Sequence, residues 1–530
     1  MPPRFRRPEP MTRFELVPDD EREDAHLPGS PDGPDDDRPG RLAALRDRAV
    51  DRWRRLSRRA QVVVAASTAV VVLGAATAAV APGMIDAHDQ RQRAAAVRGL
   101  PGAVDDLSRP LDLSWELGRG GSTATVLADG TVVTTDIEDV VGSDPATGRE
   151  RWRHAVGPSA QCGPPETLGF GRERTVDESV VCVGRSPDGR TVTTVDRSGE
   201  VLGTRTVDGG GEVIPAGNGT IAVVSAPTGT SVSVPAGSSR ADRLRAVRDA
   251  GWRDVRLSLE DAVTGEPRGA ETIALDDVNL SSCAYQEDEG SEEILELTPW
   301  TFTGEVTTTQ LCDTAVAITS EGAGIRIDEG PASWPTLLSD GRIAVAGEES
   351  RVYDPSGALV ATVPGAVVPP LVDDQPDGPL VAVGVDWRGL EADGRLTVVT
   401  DEGDVVWSSA VTALTSVVAR VNGTLVLVDD DRVVGLDAAT GAERWRRDDV
   451  LKSGTDGPGE YVYGAVTDGT RVLLATMPME GPNRLVAVDL RDGTVPWTRE
   501  VDGSPQRIAA AGGHPVLLDS EDAAAHGLGR

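Results

Sequence analysis

The 530 residues contain one lysine, Lys452, five histidines and four cysteines, and only one run is long and apolar enough to concern a membrane. Each shortage removes a class of function. His154, His514 and His526 alone lie well inside the C-terminal region, with His88 beside the apolar run. An acid–base dyad, a Ser-His-Asp triad or a zinc site therefore has little to draw on. The cysteines, Cys162, Cys182, Cys283 and Cys312, are spaced too widely for CxxC metal knuckles, and none precedes Cys162 to carry a lipid. No oxygen-rich loop has EF-hand spacing. No catalytic residue, metal or cofactor is expected. The lone lysine, in a chain biased to Ala, Arg and Gly, points to GC-rich coding rather than to function.

Net charge is −33, but it is unevenly placed. Residues 1–60 hold 14 Arg against 13 acids, whereas everything after residue 82 holds 38 Lys plus Arg against 72 acids, a net of −34. An acidic body of this kind repels phosphate backbones and excludes nucleic acid as a partner.

Val62 to Ala81, VVVAASTAVVVLGAATAAVA, is uncharged and mostly apolar. A helix rising about 1.5 Å per residue covers about 30 Å of hydrocarbon in such a run. The segment before it is rich in Arg from Arg41 to Arg59, and MIDAHDQ follows it, so the positive-inside rule places residues 1–60 in the cytoplasm and the rest outside. A cleaved signal peptide is the competing reading, with AATAAVAPG as the cleavage region, but its n-region would be far longer than usual. Residues 17–40 combine Pro, Gly and dense acids and are expected to be disordered. The apolar island RFELV, Arg13 to Val17, is a candidate docking motif for a cytoplasmic partner. An even cysteine count outside the membrane favours disulfides. Three pairings are open, of which sequence neighbours, Cys162 with Cys182 and Cys283 with Cys312, are the simplest.

The C-terminal region repeats itself. NGTLVLVDDDRVVGLDAATGAERW, Asn422 to Trp445, and DGTVVTTDIEDVVGSDPATGRERW, Asp129 to Trp152, share their spacing, and Asp468 to Trp497 is the same unit with a longer middle. Weaker copies begin at Asp188, Asn218, Asp340 and Asp393. Each reads as about four short strands: Asn-Gly or Asp-Gly supplies a tight hairpin turn, and in D-x-x-T-G the Asp accepts turn amides while Gly takes the left-handed position. Such units bury both faces only by stacking around a ring.

The units resemble those of the pyrroloquinoline-quinone-like (PQQ-like, quinoprotein dehydrogenase-like) β-propeller family, A-x-D-x-x-T-G-x-x-x-W. The match lies at Asp144, Gly148 and Trp152, at Asp437, Gly441 and Trp445, and at Asp489, Gly493 and Trp497, with Asp492 where Thr is expected. The resemblance implies an all-β propeller in which Trp115, Trp152, Trp407, Trp445 and Trp497 dock between blades. Seven turns, plus a composite blade from Arg109–Gly118 and the C-terminal strands, give eight blades, with seven as the alternative; the gap holding Cys283 and Cys312 has room for a hidden unit. The expected order is tail 1–60, transmembrane helix 61–82, linker or stalk 83–108, propeller 109–520 and C-terminal tail 521–530.

Quinone-dependent dehydrogenases of this family use a vicinal Cys-Cys disulfide, which this chain lacks. The expected function is a non-catalytic extracytoplasmic scaffold on one membrane helix, binding an envelope protein or polymer on the propeller rim. The alternatives are a membrane sensor signalling through its tail and, behind it, a dehydrogenase. The candidate surface is the set of insertions Thr228–Trp252, Cys283–Cys312 and Asp373–Gly378.

Overall fold

The turn at Asp437 shows how the sequence writes the fold. Asp437 Oδ1 accepts the amides of Ala439 and Thr440 and the Thr440 hydroxyl at 2.9–3.1 Å, and Gly441 closes the turn at φ +72° with its amide on the Asp437 carbonyl. Arg444 Nη2 then returns across the strand to Asp437 Oδ2 at 2.7 Å. Asp144, Thr147, Gly148 and Arg151 repeat the arrangement. Turns fixed by their own side chains leave the flanking strands only one register.

The computed structural model describes residues 90–529 with breaks, the longest at 164–176, 328–334, 286–291 and 453–458. Of the two units of the chain, Met1–Met84 and Ile85–Arg530, the first lies wholly outside the described residues, and with it the expected tail, docking motif and transmembrane helix. Among the described residues no helix is long and apolar enough to cross a membrane.

The rest is all β apart from short helical pieces. Among the described residues nine antiparallel meander sheets follow one another along the chain, at 124–155, 161–207, 212–273, 300–327, 335–364, 366–410, 414–447, 460–501 and, last, a composite. Eight were expected. The extra one is the fourth, Trp300–Phe302, Val306–Leu311, Thr314–Thr319 and Gly324–Ile327, which fills the long gap between visible turns. Its turn carries no Asp: Thr319 Oγ1 takes the amide of Ala323, and Ile325, paired with Ala317, stands where Trp would be.

Among the described residues nine apolar clusters are shared by consecutive sheets, one per boundary. One joins Trp407 and Leu396 of the sixth sheet to Leu425 and Leu436 of the seventh, and another joins Val516 and Ala525 of the last to Val126 and Val132 of the first. The stack is therefore a closed ring, and most of its core is Val, Leu and Ala at these seams. Burial of such side chains, at about 25 cal/mol per Å², is what makes stacking favourable.

Closure comes from the composite sheet: Arg507–Ala511, His514–Asp519 and Ala524–Gly529 are joined at the outer edge by Asp112–Leu117. Two expected boundaries need correction. Residues 524–529 are not a tail but the third strand, whose AAHGLG sequence lacks β-branched residues; Gly527 is required because a Cβ there would sit 2.0 Å from the Trp115 indole. Residues 100–108 are not a free stalk. Val104 N donates to Thr467 O and Thr467 N to Gly102 O, both at 2.8 Å, while Leu107 is fully buried and its amide bonds Asp468 Oδ2.

Candidate functional site

The residues singled out by the motif occupy the seams. Trp115, Trp152, Trp407 and Trp445 each donate Nε1 to the carbonyl just after the turn-opening Asp of the next sheet: Pro145, Arg197, Ala438 and Leu490, at 3.0–3.1 Å. Each indole also lies on that turn's glycine, Gly148, Gly199, Gly441 or Gly493, where an added Cβ would come within 2.4–2.7 Å of the ring or its Cβ. Trp497 faces the composite sheet, which has no such turn, and donates instead to Leu107 O at 2.9 Å. The N-terminal segment thus supplies the acceptor that the missing turn does not.

Five consecutive seams, from the sixth sheet round to the second, use tryptophan, and the other four do not. Gly203, Gly269, Ile325 and Ala361 stand at the tryptophan position there. Two of these seams find another donor for the same carbonyl: Arg205 Nε reaches Ala262 O at 2.9 Å, and Thr319 Oγ1 reaches Pro355 O at 2.9 Å. Sequence reading missed both, because the signal is the acceptor after the turn, not the donor type.

The insertions behave differently from one another. Ser231–Pro235 from the first insertion pairs with Glu292–Glu296 from the second, which also pairs Ala284–Tyr285. The helix Arg240–Asp249, capped by the Ser239 side chain, covers this small sheet. Together they form a lobe on the third and fourth sheets around fully buried Trp252, Val247, Leu280 and Leu295. The Cys283–Cys312 disulfide fastens the lobe to the hairpin Val306–Thr319 of the fourth sheet. Arg243 and Glu293, 2.6 Å apart, lock the helix to the small sheet, and the Gly237 amide together with Arg243 holds the Glu293 carboxyl below the usual range. The acidic segment Gln286–Glu293 thus ends in a structural residue. On the outside of the lobe Tyr285 is 45 % exposed, and Trp300, where the chain leaves it, is 60 % exposed.

The third insertion does not join the lobe. Val372–Asp373 runs parallel to the first strand of the seventh sheet at Ala419–Arg420. Asp373 there takes a two-pronged bond from buried Arg420, at 2.8 and 2.7 Å, whose further donors go to the carbonyls of Gln375 and Pro379. A guanidinium with four of its five N–H donors engaged in this way holds the loop in place. Beside it Asp374 is pushed up by burial. Glu460 is likewise consumed by Arg484, Thr476 and the Lys452 amide.

A quinone site fits poorly. The second disulfide, Cys162–Cys182, is a directly opposed cross-strand pair in the second sheet, so neither cystine is vicinal. Among the described residues no group of three or more His, Cys, Asp or Glu converges as metal ligands would. His154 Nε2 hydrogen-bonds the Gly199 carbonyl at the first seam.

Residues 390–527 match the PQQ_2 family model, described as outer membrane protein assembly factor BamB. Among solved structures, BamB from Moraxella catarrhalis aligns at 13 % identity over 80 % of this chain and 98 % of its own, with a TM-score of 0.35. A europium-containing methanol dehydrogenase aligns at 11 % over 81 % and 89 %, TM-score 0.34. The β-propeller domain of Cps50 (Swd1) from Myceliophteria thermophila aligns at 10 % over 79 % and 99 %, TM-score 0.32. No curated protein matches the chain. Over residues 390–527 the repeated unit is similar to that of the PQQ-like β-propeller family.

Proposed function

We propose that this chain is a non-catalytic, single-pass membrane protein whose propeller stands outside the cytoplasmic membrane and binds a protein or envelope polymer through the lobe on its third and fourth sheets. The observation that carries the reading is that two insertions from different places in the chain converge on one lobe, fastened to the ring by its own disulfide. A ring built only to close needs no such addition; a surface built to bind does. Two buried ion pairs elsewhere, Arg420–Asp373 and Glu460–Arg484, bind structure to structure, which suits support rather than turnover.

The membrane placement rests on the apolar run Val62–Ala81 with its arginine-rich N-terminal flank, and two disulfides fit an oxidising compartment. Two experiments test the reading. Protease added to intact cells is expected to digest the propeller and spare residues 1–60; protection of the propeller overturns the topology. A photo-crosslinking residue at Tyr285 or Trp300 is expected to trap one partner that the same residue at Ile137, on the first sheet, does not. Equal trapping at all three positions would remove the lobe from the reading.

A further inference from the structure

The outer edges of the fifth and sixth sheets are unlike those of the other sheets. Each sheet ends in an unpaired outermost strand, and most of these strands carry charge: ERWRHA at Glu150–Ala155, PRGAETI at Pro267–Ile273, ERWRR at Glu443–Arg447, WTREV at Trp497–Val501 and DLSWEL at Asp112–Leu117. Charge is the usual means of keeping an edge from recruiting another strand. Leu359–Pro364, LVATVP, and Val405–Ala410, VVWSSA, have none.

The difference extends to the bulge that follows each turn. In the first, third and seventh sheets the residue skipped by the pairing register is an arginine, Arg151, Arg268 or Arg444, and each turns back to its own turn carboxylate. In the second, fifth and sixth sheets the skipped residues are apolar, Leu202, Val360 and Val406, but the second sheet's edge strand, Val201–Val207, carries Arg205 whereas the other two carry no charge. Val360 and Val406 lie in the open with their neighbours: Leu359 is 55 %, Val360 45 %, Val405 57 % and Val406 46 % exposed. The two edges adjoin, since a Cβ at Gly403 would sit 2.8 Å from Thr362 O. This seam has Ala361 in place of a docking tryptophan.

We infer that the edge strand Val405–Ala410 accepts an added β-strand from a partner protein, an extended segment with alternating apolar side chains and basic flanks, which rests on Leu359, Val360, Val405 and Val406. Strand addition uses the free main-chain groups of an edge for affinity and alternate side chains for selection. The sixth sheet is the template, because Pro364 removes a donor from the edge of the fifth. The charge of the occupant follows from its surroundings: the turn leading into this edge carries exposed Glu402 and Asp404, and the region after residue 82 sums to −34. A basic strand is attracted there, and a second copy of this acidic chain is repelled. This surface is distinct from the lobe, and its partner need not be the lobe's.

The test uses the purified full-length chain in detergent and a labelled synthetic peptide of alternating threonine and valine flanked by lysines. Saturable binding is expected, with slowed amide exchange at 405–410. Val406→Lys and Val360→Lys are expected to weaken it about tenfold or more, a loss of roughly 1.4 kcal/mol. Val201→Lys, on the second sheet, is expected to leave it unchanged, and an unshifted thermal midpoint shows that the variants fold. Absence of saturable binding, binding indifferent to both variants, or protection at another edge overturns the proposal. So does concentration-dependent self-association protecting 405–410 without peptide, which would make the occupant a second copy.

Discussion

Trp445 hangs from the next sheet: its indole N–H donates to the Leu490 carbonyl at 3.1 Å, while the ring lies on Gly493. Its side chain belongs to one sheet and its hydrogen bond to another, so one residue couples two units that otherwise share only apolar contacts.

Trp445→Ala should therefore cost about 3–5 kcal/mol, the range for emptying a large core site. Trp445→Phe keeps most of the apolar area and should lose about 1 kcal/mol, the worth of one hydrogen bond. Urea unfolding measures both. Equal losses in the two variants would show that the bond to Leu490 carries most of the coupling.

Glycine at position 435 is demanded by the same indole, because an added Cβ would lie 2.2 Å from Trp445. Gly435→Ala should destabilise by about 1–3 kcal/mol through overpacking. The paired change with Trp445→Phe should cost less than the sum, since the smaller ring leaves room for the methyl.

Acid should loosen the turns. At Asp261 burial pushes the carboxyl up, but the Thr264 amide, Arg268 and the Val263 amide pull harder and bring it down to about 2. A depressed carboxyl stabilises the fold above its unfolded value, near 3.9, and that contribution disappears as pH falls toward about 2. Asp144 and Asp437 are lowered in the same sense, by Arg151 and Thr147 and by Arg444 and Thr440. The thermal midpoint should fall across this window, and Asp261→Asn should flatten the fall while lowering the midpoint at neutral pH.

Removing the lobe's fastening should be felt locally. Cys283→Ser with Cys312→Ser deletes a cross-link spanning 29 positions, and disulfides of this kind contribute about 2–4 kcal/mol. Amide exchange should quicken at 292–296 and in the helix 240–249 while 471–489, across the ring, keeps its protection. Uniform quickening would mean that the lobe and the ring unfold as one.

Where the turn chemistry is complete, as at Asp144 and Asp437, the sequence states strand, turn and docking residue together, and the structure follows it. The fourth sheet escaped because Thr319 and Ile325 replace the Asp and the Trp, so the pattern was gone while the meander remained. The lobe escaped for a different reason. Ser231–Pro235 and Glu292–Glu296 meet only because the third sheet folds between them, and no local period announces a pairing at that distance. Both cystines follow the simplest of the possible pairings. Residues 100–108 read as linker because their apolar side chains, Val104 and Leu107, are single points that gain meaning only against Thr467 and Asp468. Of the three insertions proposed as a surface, two became one lobe, and the third became an internal strut on Arg420.

The composite sheet also sets a clock. Ser114 bonds Gly527, 413 positions later in the chain. A ribosome adding about 5–20 residues per second needs roughly 20–80 s to supply that mate. For that interval every finished sheet stands in an open arc, with Trp497, once made, facing a neighbour still incomplete. Synthesis of this protein is a race between the ribosome and whatever else would pair with the arc, and the last strand to be made ends it.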